Sequence, residues 1–171
     1  QTEHGKDIIL SDTWGYNVKN QAWLKVTTTT SSTKEISGPT RVYHSLSTLY
    51  DTYTKDGSRE CKILSFGGST SENDNVALDD VNSLFELKIV ENGGKVTGKW
   101  TLINPATQLK PAKRNEHVSV SYDNKLYIFG GMSGSNVKSL LQYKDIWMYD
   151  ASENVWQEQM PKYDDDGIGS N

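Results

Sequence analysis

The chain has 171 residues, 35% of them hydrophobic, and a formal net charge of −4, with 18 Lys and Arg and 22 Asp and Glu spread along its length. No dense cationic stretch exists to track a phosphate backbone, which argues against nucleic acid as a partner. No run of about 18 apolar residues offers a bilayer span, Gln1 opens no leader pattern, and the lone Cys61 excludes an internal disulfide or a thiolate zinc cluster.

After an unpatterned leader containing His4, Asp12-Thr13-Trp14-Gly15-Tyr16-Asn17 reads as a strand opened by an aspartate. A turn through Asn20 and a short strand carrying Trp23 follow. Arg41-x-x-His44 then heads an alternating stretch, residues 51–60 read as an inserted loop, and a hydrophobic run from Cys61 ends in Gly67-Gly68. A polar loop over 69–79 leads to a strand over 80–87, a long turn over 91–98 and a strand carrying Trp100. Arg114-x-x-His117 opens the same series again. Val118 to Tyr122 and Lys125 to Phe129, joined by Asp123-Asn124, give the strongest hairpin signal in the chain, ending in Gly130-Gly131. A polar loop over 132–144, the strand Asp145-Ile146-Trp147-Met148-Tyr149-Asp150, a turn through Asn154 and Trp156 complete the unit. Asp164-Asp165-Asp166 with Gly167 and Gly169 reads as a solvated linker.

Arg-x-x-His followed by Gly-Gly occurs twice, Asp-x-Trp-x-Tyr followed by Trp occurs at the start and in the last unit with matching offsets, and the middle unit keeps the order in stretched form. Each unit reads as four short strands with period-two alternation, an all-β pattern without useful helical periodicity. This set resembles the kelch repeat, and the resemblance extends from Asp12 to Trp156. It implies β-propeller blades of four antiparallel strands in an incomplete ring: the closing half of a blade over 1–28, a blade with long loops over 29–104, a blade over 105–160 and a linker over 161–171. Kelch propellers need about four to eight blades, so the remaining ones are expected from the rest of a longer chain in the first instance, and otherwise from further copies or another protein. The half blade at the start looks cut, which favours the longer chain.

The glycine pairs Gly67-Gly68 and Gly130-Gly131 lack the Gly-Lys-Ser/Thr of a phosphate loop and read as backbone devices. Trp23, Trp100 and Trp156, with Tyr16 and Tyr149, sit at repeat-equivalent positions and read as packing between blades. His44 and His117 share one slot ahead of a strand, where a structural hydrogen bond is expected rather than metal binding. Arg41 and Arg114 precede the first strand of each blade. Similar kelch adaptors use arginines near this place to bind acidic peptides, and a guanidinium suits a carboxylate through paired bonds. Structural pairing with a carboxylate or carbonyl of the adjacent blade is the other reading. The loops after the glycine pairs differ in sequence on a repeating scaffold, which makes Ser69, Glu72, Asn73, Asp74, Met132, Ser133, Ser135 and Asn136 the remaining candidates for contact with a partner.

The resulting expectation is a non-catalytic protein-interaction scaffold with a protein partner, no cofactor and no metal. A galactose-oxidase-like kelch enzyme would need copper and a Tyr-Cys cross-link, for which only Cys61 is present, and the iron-binding Glu, Asp and His series of specifier-type kelch proteins does not occur. A structural subunit embedded in a larger assembly is the third possibility. The single cysteine and the lack of an Asn-x-Ser/Thr sequon favour the cytoplasm over secretion.

Overall fold

The structure is a computed structural model that describes residues 2–3, 6–30, 38–69, 84–134 and 139–160. In chain order the strands are β1 (Thr2–Glu3), β2 (Lys6–Asp7), β3 (Trp14–Asn17), β4 (Ala22–Lys25), β5 (Thr27–Thr30), β6 (Ser45–Tyr53), β7 (Arg59–Phe66), β8 (Leu84–Asn92), β9 (Lys95–Leu102), β10 (Val118–Tyr122), β11 (Lys125–Phe129), β12 (Met132–Ser133), β13 (Leu141–Gln142), β14 (Ile146–Asp150) and β15 (Val155–Gln159).

β10, β11, β14 and β15 form a four-stranded antiparallel sheet in that order. The β10–β11 hairpin has the expected bounds. Asp123 and Asn124 both take positive φ (49° and 57°), the turn geometry whose twist matches that of the flanking strands. Alternation places Leu126 and Ile128 of β11 in the interior, along with Trp147 and Tyr149 of β14 and Trp156 of β15.

The preceding sheet is a longer version of the same unit. β6, β7, β8 and β9 run antiparallel in sequence order, and β5 adds a fifth strand parallel to β9. Two expected loops are in part strand. Half of residues 51–60 extend β6 and β7, because their polar side chains meet across the hairpin: Arg59 donates to both carboxylate oxygens of Asp51 (2.8 and 2.5 Å), and Tyr50 donates to Glu60 (2.7 Å). Only Thr54 to Ser58 turn, around the Asp56 carboxylate, which accepts from the Ser58 hydroxyl and amide. The long turn expected over 91–98 shrinks to Gly93-Gly94, both at positive φ (57° and 80°), so β8 and β9 pair out to Asn92 and Lys95.

The core lies between the two large sheets. Leu64, Phe66 and Leu84 of the first meet Leu126, Ile128, Trp147, Tyr149 and Trp156 of the second. The Phe66 and Trp156 rings stand edge to face at 5.2 Å. Full burial of each large apolar side chain is worth about 1.5–3 kcal/mol, so this seam is what holds one sheet to the other. Before both sheets, β3 and β4 form a separate two-stranded hairpin.

Candidate functional site

At one end of the seam, the Arg-x-x-His segments follow the same path in both sheets. Val42 bridges to Ser69 and Asn115 to Met132, while Tyr43 and Glu116 take positive φ (56° and 53°). Each arginine is thereby turned inward. Arg41 Nη1 donates to the Gly67 carbonyl at 2.9 Å, and Arg114 Nη1 to the Gly130 carbonyl at 2.8 Å. Arg114 also donates through Nη1 and Nη2 to the two oxygens of Asp145 (2.7 and 2.8 Å) and through Nε to the Ala112 carbonyl (3.0 Å). Its guanidinium lies over the Tyr143 ring at 4.2 Å, and that of Arg41 over Phe85 at 4.7 Å. Hydrogen bonding from Arg114, and then from the Trp147 indole, holds the Asp145 carboxyl below its ordinary range. Burial lowers Arg41 to about 10.

The glycine pairs stand against these segments. Gly67 has φ of 62°, and a Cβ there would run into the Arg114 carbonyl, the acceptor of the Gly68 amide at 2.9 Å. Gly130 and Gly131 repeat the positive φ at 59° and 93°.

His117 closes the seam. Its Nε2 is hydrogen-bonded to Ser45 Oγ at 2.7 Å, and its ring stands edge-on to Phe66 at 5.2 Å. Burial, then the positive charge of Arg114 and the proximity of His44, push it down to about 4, so it is neutral at pH 7. His44 is half-buried and lowered for the same reasons, burial and the adjacent Arg41. Further along, Ser47 and Ser119 share a hydroxyl hydrogen bond at 2.6 Å, and Ser121 donates to the Thr48 carbonyl. This Ser and Thr ladder joining β6 to β10 was not singled out from sequence. Its signal was there in the alternating pairs Ser45, Ser47 and Ser119, Ser121, which put hydroxyls on one face of each first strand.

Several residues expected on a partner surface lie inside. Arg41, Ser69, Arg114 and Ser133 are buried, with Arg114 at 0% exposure. Arg114 is held by Asp145 and two carbonyls, all of its own blade and not of the adjacent one. Ser133 shares a hydrogen bond with the Tyr143 hydroxyl at 2.8 Å, and the Ser69 backbone pairs with Val42 in both directions. Met132 is half-buried beside β13. Glu72, Asn73, Asp74, Ser135 and Asn136 lie outside the described residues, as does Asp80, expected to begin a strand over 80–87.

The aromatic positions divide in two. Trp156 and Tyr149 are buried in the seam, and Trp100 is buried with its indole donating to Thr13 Oγ1 at 3.3 Å. Tyr16 and Trp23, expected between blades, are exposed and pack on each other at 5.0 Å. Asn20 is not the counterpart of Asn154 either. Strand register assigns that place to Gln21, and both residues have positive φ (54° and 58°).

Among the described residues, no group of three or more His, Cys, Asp or Glu side chains converges as metal ligands, and no helix is long and apolar enough to cross a membrane.

Comparison with known proteins finds a kelch motif at residues 113–162. The chain is 29% identical over 89 residues to a leucine-zipper-like transcriptional regulator 1 homolog of Drosophila melanogaster, a match covering 52% of this chain and 9% of that protein. It is 44% identical over 46 residues to an N-acetylneuraminate epimerase of Salmonella typhi, covering 26% of this chain and 12% of the enzyme. Among solved structures, that of YjhT matches with a TM-score of 0.38 and 18% identity over 69% of this chain and 27% of its own. The chain thus spans about a tenth of the length of these curated relatives. The motif covers the four-stranded sheet and its Arg-x-x-His segment, and the preceding sheet repeats the arginine bond to the glycine carbonyl and the bridge beside it, so a kelch motif is shown over residues 113–162 and the preceding sheet is a second unit of the same build.

Proposed function

We propose that this chain is a non-catalytic kelch segment that presents the loops beyond its glycine pairs to a protein partner. The observation that carries this reading is where the repeat-equivalent polar groups go. His117 is spent on Ser45 of the other blade, and Arg114 and Asp145 on each other within their own blade, whereas the segments that differ between the units, 70–83 and 134–140, follow the glycine pairs in sequence. With the Arg114 fork taken by Asp145, partner contacts fall to Glu72, Asn73, Asp74, Met132, Ser135 and Asn136.

The test is quantitative affinity capture with the whole protein, wild type against one variant with Glu72, Asn73 and Asp74 changed to Ala and another with Ser135 and Asn136 changed to Ala. Loss of specific partners with an unchanged melting temperature is the expected result. Retention of every partner by both variants would remove the loop reading, and epimerisation of N-acetylneuraminate or stoichiometric copper or iron in the whole protein would replace it with an enzymatic one.

A further inference from the structure

Two turns close the long hairpins of the first sheet at the end opposite Gly67-Gly68, Asp56-Gly57 between β6 and β7 and Asn92-Gly93 between β8 and β9. In each, the glycine nitrogen can attack the carbonyl carbon of the preceding side chain and close a succinimide ring, since glycine puts no Cβ in the way. The two turns differ in whether the reacting atoms are free.

At Asp56-Gly57 they are held. The Gly57 amide donates to the Thr54 carbonyl at 3.0 Å. Asp56 Oδ1 accepts from the Thr54 hydroxyl (2.5 Å), the Ser58 hydroxyl (2.8 Å) and the Ser58 amide (3.2 Å). These bonds, that of Thr54 first, lower the carboxyl to about 2. At neutral pH it is a carboxylate, a poor electrophile whose oxygen cannot leave.

At Asn92-Gly93 nothing holds them. Among the described residues, the exposed Asn92 side chain makes no hydrogen bond and the Gly93 amide takes no part in the turn's bonding. A Cβ built on Gly93 or on Gly94 would meet nothing within 4 Å, so the nucleophile stands in open solvent. The neutral amide carbon is the better electrophile, with ammonia to leave. Of the asparagines in the sequence, Asn92 alone precedes a glycine.

We propose that Asn92 is a self-modifying site, converting without an enzyme to a mixture of aspartyl and isoaspartyl residues. The Gly93 nitrogen gives its proton to hydroxide and bonds to Asn92 Cγ, while the Cγ–Nδ2 bond breaks and Nδ2 departs as ammonia. Water then adds to one of the two ring carbonyls. Opening at Cγ leaves the aspartyl residue, and opening at the backbone carbon leaves the chain running through Cβ and Cγ. Amide and water become carboxylate and ammonium, with no change in oxidation state. Either product puts a new negative charge beside Glu91 and opposite Lys95, the ladder partner of Asn92. The aspartyl form gains an opposite-charge cross-strand pair, whereas the extra backbone carbon of the isoaspartyl form uncouples it. The hairpin tip thereby records the age of the molecule. It lies at the far end of the strands from the glycine-pair loops, so this inference stands or falls separately from theirs.

The test is peptide mapping of the whole protein after increasing times in mildly alkaline buffer, folded against unfolded in guanidinium. Cleavage after Lys88 and Lys95 isolates residues 89–95. From folded protein this peptide is expected to gain one mass unit, to split into two isomers, and to accept methyl groups from S-adenosylmethionine through an isoaspartyl methyltransferase. Peptides containing Asp56 should yield isoaspartate only after unfolding. Asn92→Gln, which would have to close a larger ring, should lose the methylation signal at this peptide. Retention of the Asn92 amide in folded protein, whatever the unfolded sample does, would overturn the proposal. So would isoaspartate at Asp56 forming as fast in the folded state, because free turn atoms would then not be what selects the site.

Discussion

In β3–β4 and in β14–β15 an aspartate accepts the indole N–H two residues on, Asp12 from Trp14 at 2.7 Å and Asp145 from Trp147 at 2.8 Å. In both, the residue ending the first strand caps the turn: Asn17 accepts from the amides of Lys19 and Asn20, and Asp150 from those of Ser152 and Glu153. The Tyr–Trp ring contacts match as well, at 5.0 and 5.2 Å. Yet Trp23 is 67% exposed and Trp156 3%. Aspartate, Asx turn and aromatic pair therefore build the hairpin from local interactions, while burial comes from strands distant in sequence.

The largest expected effect separates the two tryptophans. Trp156→Ala should cost about 4 kcal/mol in denaturant unfolding, and Trp23→Ala under about 0.5. Equal costs would mean that the first hairpin is covered in solution. Next come the aspartates. Asp145→Ala leaves the buried Arg114 without its counter-charge and should cost about 3 kcal/mol, whereas exposed Asp12→Ala should again cost under about 0.5.

A third difference is set by pH. His117 titrates near 4 in the fold against an ordinary 6.5, so the unfolded chain takes up its proton first. Stability from this residue is full above about pH 6.5 and falls by roughly 2–3 kcal/mol as pH drops towards 4. Thermal melts across that range should show the slope, and His117→Asn should flatten it. Asp145, whose pKa is lowered, keeps its contribution through this window and loses it only in stronger acid. The smallest effect is at the turns. Asn154 accepts from the Tyr149 hydroxyl at 2.7 Å while holding positive φ, so Gln21→Asn should stabilise the first hairpin by a few tenths of a kcal/mol, read as faster turn closure or slower exchange at β4.

What could be read from the sequence follows the same division. The β10–β11 hairpin was legible to the residue, because Asp123-Asn124 and the flanking alternation are local signals. Residues 51–60 misled because Asp51, Arg59 and Glu60 are charged types common in loops, and only cross-strand pairing makes them strand. The role of Arg114 turned on Asp145, already placed as a strand opener, but nothing in its spacing says which guanidinium it holds. The fates of Trp23 and Trp156 were indistinguishable, since what covers Trp156 is Phe66, far back in the chain. The parallel pairing of β5 left no trace, as four threonines in a row carry no periodicity.

That fifth strand also constrains the order of events during synthesis. Thr30 pairs with Trp100, seventy positions later, so β5 emerges from the ribosome well before its partner exists. At about 5–20 residues per second the wait is roughly 4–14 seconds. A segment made only of threonine can pass that interval hydrated, with no apolar side chain to recruit another nascent chain, and then seal the outer edge of the blade once β9 has formed.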